Sequence, residues 1–355
     1  MVTYLGLDVH AKSCTLAVMS EKGERKRWEV VKTSAAEIID LLSTIPGEKR
    51  LCLEECTQSA WLYETLSPHL TECIVMGLGK DLRVNRNKTD KDDAFDLAEK
   101  MRLRSFGIAV RKDVGAFKAL RASAKTYGFI TGDVTRAKNR AKAIFRSLGI
   151  DTPGDAVYGE NERESWLAKL PEHLRGPTEH LLCEVVWLEE RKAKAQRDMI
   201  KEAGRHDIYR VLQTCPGLGP VRVAQAMPIV VDPNRFRTRQ QFWTYSGLGL
   251  KMRSSSDWAP TGEKGKWQHV NQDRVRGLTR NFNHTLKAVF KGAATTVIGN
   301  SPENDPIRLH YERMLENKIK PNLAKLTIAR QIAAVFLRMW KTKEEYDPAK
   351  LTISH

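Results

Sequence analysis

Short runs of apolar residues, with tight polar connections between them, dominate the first hundred positions of the chain. Three such runs follow one another closely at the start, which is the pattern of an antiparallel meander. Apolar positions at helical spacing and two further strand-like runs then alternate. The runs that predict strands are residues 3–9, 14–19, 25–31, 50–54 and 72–76, and those that predict helices are residues 35–45 and 61–66. This order predicts a mixed sheet with helices packed against it.

The pattern changes after this region to long, charged stretches with helical spacing. Residues 111–150 and 178–203 predict two long helices, which can pair as an antiparallel coiled coil or serve as a solvated spacer. A new pattern starts near residue 208 and includes the segment TCPGLGP at 214–220, a predicted turn between two helices.

The remaining residues give less regular patterns. Residues 253–270 are polar and predict a loop, and a helical pattern runs from Asn271 to Met339. We therefore predict a first domain at 1–110, a basic helical linker at 111–205, a helical domain at 206–345 and a tail at 346–355.

Charge narrows the class of partner. The formal net charge is +16 over 355 residues, and a chain this basic usually binds a polyanion, most often nucleic acid. The six cysteines are scattered without zinc-ligand spacing. No stretch approaches the ~20 apolar residues of a membrane span, and the N-terminus lacks a signal-peptide layout. These features predict a cytoplasmic protein without a membrane partner.

Four carboxylates carry the candidate chemistry. The first lies inside an apolar strand, where an unpaired charge is costly, and the second ends a later strand. The other two are in the first turn of a helix at positions i and i+3, which places them on one face of that helix. The four are Asp8, Glu54, Asp90 and Asp93. Each alone fits a turn, a surface charge or a helix cap. Together they fit the two-metal layout of ribonuclease H-like nucleases, in which hard oxygen ligands converge at one end of a sheet. By periodicity, the adjacent Glu55 and Asp92 point elsewhere.

The segments GLDVHAK (6–12), LEECTQSAW (53–61) and KTDKDDA (88–94) resemble the RuvC-like DEDD domain of the insertion-sequence "one-ten" family of transposases. The segments PGLGPVRVAQAM (216–227), DPNRF (232–236) and YSGLGLKMRSSS (245–256) resemble the C-terminal serine domain of the same family. The resemblance covers residues 3 to 345 approximately, and it is specific because both motif sets occur in the family's order.

The resemblance implies a RuvC-like, ribonuclease H-like domain, a coiled-coil linker and a helical serine domain. It implies Mg²⁺ at Asp8, Glu54, Asp90 and Asp93, and a serine that becomes covalently linked to a cleaved DNA strand. Ser255 matches the nucleophile by position, with Ser254 and Ser256 as alternatives. The implied partners are donor and target DNA, a non-coding bridge RNA and further copies of the chain, as a dimer or as a tetramer in the synaptic complex. The implied setting is bacterial and nucleoid-associated.

The sequence departs from the family pattern at the serine loop, which lacks the usual proline and glycines. A serine hydroxyl needs activation, and no His–Asp pair with triad spacing lies nearby. A metal-bound phosphate would supply that activation, and Arg253, Lys251 and Lys264 could bind the scissile phosphate. On pattern alone, three consecutive serines equally fit a flexible polar loop.

Two further segments are candidate nucleic-acid surfaces. A basic stripe at near-helical spacing can track a phosphate backbone, although such a stripe is often a solvated helix face. It consists of Arg136, Lys138, Arg140, Lys142 and Arg146. Gly217 and Gly219 can expose backbone N–H groups to phosphate, as in a helix-hairpin-helix unit, or can simply form a turn.

Three alternatives compete with a recombinase. A structure-specific nuclease, such as a junction resolvase, would use water and no serine. A non-catalytic nucleic-acid-binding protein would tolerate loss of Asp8. An actin-like ATPase shares the aspartate-bearing first strand, but the chain has no glycine-rich loop resembling that superfamily's second phosphate motif.

Overall fold

The computed structural model describes residues 1–77, 89–105, 115–253, 258–260, 267–269, 274–279 and 281–350. The chain divides into two compact units, Met1–Ala116 and Phe117–His355. Among the described residues, none of the helices has both the length and the apolar character needed to cross a membrane.

The first unit is a mixed α/β structure around one five-stranded sheet, in the order β3-β2-β1-β4-β5. The first three strands form the predicted antiparallel meander, and β4 and β5 run parallel to β1. Its elements are β1 (Val2–Val9), β2 (Ser13–Ser20), β3 (Arg25–Lys32), α1 (Ala35–Ser43), β4 (Glu48–Glu54), α2 (Ser59–Leu66), β5 (Glu72–Met76) and α3 (Asp90–Arg102). This arrangement confirms the predicted mixed sheet and is compatible with the ribonuclease H-like fold.

Helices cover both faces of this sheet. Leu5 and Leu7 of β1, with Leu51 and Leu53 of β4, belong to the apolar core that includes α1 and α2. Because successive strand residues point to opposite faces, the alternate positions of β1 and β4 face α3. Cys52 accordingly packs with residues of that helix.

The second unit is mainly helical. Its helices are α4 (Lys118–Ser147), α5 (Arg163–Leu167), α6 (Glu172–Ala203), α7 (Asp207–Gln213), α8 (Pro220–Val230), α9 (Arg239–Tyr245), α10 (His284–Asn300), α11 (Pro306–Glu316) and α12 (Pro321–Thr342). Its strands are β6 (Leu250–Arg253), β7 (Trp258–Pro260), β8 (Trp267–His269) and β9 (Arg274–Leu278). Helices α7 and α8 flank the TCPGLGP turn as predicted.

The two long helices α4 and α6 pack side by side and antiparallel. Val134 and Ala137 of α4 share a small core with Val185 and Leu188 of α6. Helix α6 begins six residues before its predicted start and contains Pro177. Pro177 is the sixth residue of the helix, and it removes one backbone donor while the remaining backbone bonds of this turn are kept, so the helix extends further towards the N-terminus than the apolar pattern indicated.

The prediction for residues 253–283 is wrong in two places. Strand β6 pairs with β9 and β7 pairs with β8, so short antiparallel ribbons occupy part of the segment predicted as a loop. The helical pattern predicted from Asn271 is interrupted by β9, and α10 begins only at His284. The reason is local, because charged and apolar residues alternate in the Arg-Val-Arg of β9 and Gly277 has φ +87°.

Candidate active site

Asp8 and Glu54 lie at the carboxyl ends of neighbouring parallel strands. The register pairs Leu7 with Leu53, so Asp8 and Glu54 occupy the next positions of β1 and β4. Both follow the alternation that turns Gly6 and Cys52 towards α3, and both side chains are partly exposed. Two carboxylates are therefore placed on the same face and at the same edge of the sheet.

Helix α3 contributes the other two carboxylates at its N-terminus. Thr89 caps the helix, because its hydroxyl accepts a hydrogen bond from the Asp92 N–H at 3.3 Å. The helix buries Ala94, Leu97 and Met101 against the sheet. Asp90 and Asp93 precede these residues at helical spacing, so they extend the same stripe beyond the strand ends.

Asp92 points away from this stripe, as the sequence predicts. Its carboxylate accepts a hydrogen bond from the Thr89 hydroxyl at 2.8 Å and lies 3.4 Å from the Arg25 guanidinium. These contacts lower the pKa of Asp92, with the Thr89 hydrogen bond as the main cause. Asp92 is therefore engaged in capping α3.

Gly6 sets the distance between α3 and β1. A Cβ atom at this position would lie 1.9 Å from the Ala94 carbonyl oxygen and 2.5 Å from the Ala98 nitrogen. Both contacts are with helix backbone, which cannot rotate away as a side chain can. The absence of a side chain at Gly6 thus allows α3 to bring its N-terminal aspartates close to Asp8.

His10, which was not among the predicted site residues, also lies in this cluster. Its Nε2 atom is 3.2 Å from an Asp8 carboxylate oxygen and 3.5 Å from one of Asp90. Burial is the main cause that raises the pKa of Asp8. His10 opposes that shift, while the charges of Asp90 and Asp93 add to it. The cluster therefore concentrates negative charge on a partly buried carboxyl group, and a cation would relieve it.

The donor atoms fit a divalent cation. One donor atom each from Asp8, His10 and Asp90 lies within 4.8 Å of the others. Carboxylate oxygens are the ligands that Mg²⁺ and Mn²⁺ take in proteins, and imidazole suits transition metals. Glu54 and Asp93 are outside this closest set, although the charge of Asp93 acts on Asp8. Burial raises the pKa of the nearby Cys52 thiol to about 12, so it stays a neutral core group.

Comparison with protein families gives two matches. Residues 5–149 match the DEDD domain of IS110-type elements, described as a transposase. Residues 209–304 match a second family described as transposase IS116/IS110/IS902. The chain belongs to the IS110 transposase family. The transposase is therefore an enzyme that cleaves and rejoins DNA, and DEDD domains of this kind use divalent metal ions. Comparison with functionally curated proteins found no match.

The family assignment decides between the alternatives raised by the sequence. A nuclease that uses only the carboxylate domain would not require the second matched region, and a non-catalytic binding protein is not what either family describes. The first match ends at Gly149, so it includes helix α4 as well as the sheet.

The serines of the second matched region, Ser254, Ser255 and Ser256, lie outside the described residues, directly after β6. The chain leading to them is firmly held. The Arg330 guanidinium donates its Nε–H to the Leu248 carbonyl at 2.7 Å, and the Trp243 indole donates to the Arg330 carbonyl at 2.8 Å. Of Arg253, Lys251 and Lys264, the first two belong to β6 through their backbone, and the last is outside the described residues.

The basic stripe on α4 is largely engaged within the chain. Lys138 lies 2.9 Å from Glu189, Arg140 lies 2.8 Å from Glu184, and Lys142 donates to the Thr152 carbonyl at 3.0 Å. Arg136 pairs with Asp133 on its own helix, and Arg146 is exposed. The low acidic content of residues 111–150 did not reveal the partners of Lys138 and Arg140, because Glu189 and Glu184 belong to α6. Nucleic-acid binding by the stripe stays a prediction.

The two glycines of the TCPGLGP turn differ in their surroundings. Gly217 has φ +70°, and a Cβ atom there would lie 2.4 Å from the Ala293 carbonyl oxygen of α10. Gly219 is exposed, and a Cβ atom there would have nothing within 4 Å. Gly217 therefore has a packing role whether or not the turn binds phosphate, which stays a prediction for both glycines.

Proposed function

We propose that this transposase cleaves and rejoins donor and target DNA with a metal-binding set of carboxylates and a serine nucleophile. Two Mg²⁺ ions are held by four carboxylates, those of Asp8, Glu54, Asp90 and Asp93. The nucleophile is Ser255. The observation that carries the metal part is the convergence of Asp8 with Asp90 and His10 at the sheet edge. The serine part rests on the resemblance of residues 245–256 to the family's serine motif.

The chemistry is an exchange of phosphate esters. The Ser255 hydroxyl oxygen forms a bond to the scissile phosphorus as the bond between phosphorus and the strand's leaving oxygen breaks. The serine proton passes to water and the leaving oxygen takes up a proton from water, so the strand is released as a free hydroxyl. Bound metal supplies Lewis-acid stabilisation of the developing charge. In the reverse sense, the hydroxyl of a new strand attacks the phosphoserine and releases the serine. One phosphate ester replaces another at each step, so no external energy source is required.

The nucleic-acid partners follow from charge and from the family resemblance. A net charge of +16 favours a polyanion, and we propose donor DNA, target DNA and a non-coding bridge RNA that pairs with both. We also propose a homo-oligomer, a dimer that forms a tetramer in the synaptic complex. In this arrangement residues 111–205 serve as a linker between the carboxylate domain and the serine domain.

A set of matched carboxylate variants tests the metal part. Asp8→Asn, Glu54→Gln, Asp90→Asn and Asp93→Asn should each lower Mg²⁺-dependent DNA cleavage by 100-fold or more, roughly the effect of losing one electrostatic group at a reaction centre. The control is Asp92→Asn, on the same helix but engaged with Thr89 and Arg25, which should cleave within about 3-fold of wild type. Equal losses in all five variants would contradict the assignment.

A further inference from the structure

The backbone around His10 is held on both sides. The His10 N–H donates to the Ser13 carbonyl at 2.9 Å, and the His10 carbonyl accepts a hydrogen bond from the Thr33 hydroxyl at 2.9 Å. Thr33 also donates its own N–H to the Lys12 carbonyl at 3.1 Å. The turn between β1 and β2 therefore fixes the Cα position of His10. His10 is the first residue after β1, two positions beyond Asp8.

One atom of the imidazole faces both carboxylates. His10 Nε2 lies 3.2 Å from Asp8 and 3.5 Å from Asp90. A single N–H can point well at only one acceptor, so a hydrogen bond accounts for one of these two contacts and leaves the other unexplained. Neighbouring ligands of an octahedral ion with bonds of ~2.1 Å are ~3.0 Å apart. The two observed distances are close to that spacing without any rearrangement of the backbone.

We propose that His10 is a nitrogen ligand of the metal held by Asp8 and Asp90, and that it shifts the site's preference from Mg²⁺ towards Mn²⁺. The inference rests on the metal site of the proposed function and adds a ligand to the four carboxylates. Nitrogen ligation favours Mn²⁺ over Mg²⁺, because Mg²⁺ takes oxygen ligands almost exclusively whereas imidazole binds transition metals well.

His10 is suited to substitution because its side chain is 52% exposed, so its removal leaves no cavity. His10→Ala removes the ligand, and His10→Gln keeps a polar side chain of similar reach without an imidazole nitrogen. His69→Ala is the matched control, since His69 is an exposed histidine in the short helical turn Ser67–His69, which follows α2 in the same unit.

The test is pulsed electron paramagnetic resonance of full-length protein loaded with Mn²⁺, together with calorimetric titration of Mn²⁺ and Mg²⁺. We expect a directly bonded ¹⁴N hyperfine coupling in wild type and in His69→Ala, and its loss in His10→Ala and His10→Gln. The same two His10 variants should lose about 10- to 100-fold in Mn²⁺ affinity, and less than about 3-fold in Mg²⁺ affinity because Mg²⁺ depends on the oxygens.

Two outcomes would overturn the inference, and they are distinguishable. Wild-type protein that binds Mn²⁺ through Asp8 but shows no ¹⁴N coupling would remove His10 from the ligands while leaving the carboxylate site intact. Wild-type protein that binds neither ion in the presence of DNA would overturn the proposed metal site and the inference with it.

Discussion

Substitution of Gly6 by alanine probes how the approach of α3 to β1 builds the site. The new Cβ atom would meet the Ala94 carbonyl oxygen at 1.9 Å. An ordinary carbon–oxygen contact is ~3.3 Å, so the helix must move by roughly 1.4 Å, or the strand must bend, against a close-packed interior. Overpacking of this kind costs about 1–3 kcal/mol.

The displacement matters more for the site than for the fold. Asp90 and Asp93 move with α3, whereas Asp8 stays on β1. Metal–ligand distances must hold to about ±0.2 Å, so a shift several times larger separates the ligands. A misplacement of ~1 Å costs about 100-fold in rate at a reaction centre. We therefore expect Gly6→Ala to weaken Mn²⁺ binding at least 10-fold and to lower cleavage about 100-fold.

The assay combines Mn²⁺ titration, cleavage of donor DNA and thermal unfolding without metal. Gly128→Ala is the control, because Gly128 lies in α4 with nothing within 4 Å of the added Cβ. That variant should gain ~1 kcal/mol of stability from helix propensity and keep wild-type metal binding. Gly6→Ala protein with wild-type metal affinity would refute the reasoning, whatever its unfolding temperature.

Three further predictions follow from the site and the surfaces. Because burial and the neighbouring aspartates raise the pKa of Asp8 in the folded protein, its ionised form opposes folding above its unfolded pKa. Asp8→Asn should thus raise the unfolding temperature of the metal-free protein at neutral pH. The same variant should no longer gain unfolding temperature when Mn²⁺ is added. A metal-free unfolding temperature below that of wild type would contradict this prediction. Arg146→Ala should weaken nucleic-acid binding and reduce the salt dependence of the binding constant by about 1 in slope. Lys138→Ala should mainly lower the free energy of unfolding, because its side chain loses the contact with α6. Filter binding over a salt series and thermal unfolding of both variants check this, and the opposite pattern would refute it. Gly217→Ala should destabilise the protein by more than ~1 kcal/mol from its positive φ and tight packing, while Gly219→Ala should change stability little, and equal melting temperatures would count against this distinction.

The sequence predicted those parts of the fold that depend on local periodicity. The sequence predicted the meander, the strands at residues 50–54 and 72–76 and the helix that begins at Asp90. Alternation and helical spacing are properties of neighbouring residues, so a short window of sequence is enough to detect them. The same spacing correctly turned Asp92 away from Asp90 and Asp93. The ribbons β6–β9 and β7–β8 were missed, since strands of three to five residues contain too few positions to show a period.

Contacts between distant segments were beyond local patterns. The position of His10 next to Asp90 depends on how closely α3 packs over Gly6, which no window of residues contains. The partners of Lys138 and Arg140 come from α6, about fifty residues along the chain. The signal that could have identified His10 is its position two residues after Asp8, directly beyond the end of β1.

The measurement that tests the central claim most directly is covalent trapping. The transposase, purified with the proposed bridge RNA, is incubated with donor and target DNA and Mg²⁺, denatured, and assayed for DNA-linked protein. We predict an adduct in wild type that is absent in Ser255→Ala and retained in Ser254→Ala and Ser256→Ala, and that is lost in Asp8→Asn. Cleavage of DNA without any adduct in wild type would contradict a serine nucleophile and would indicate direct attack by water.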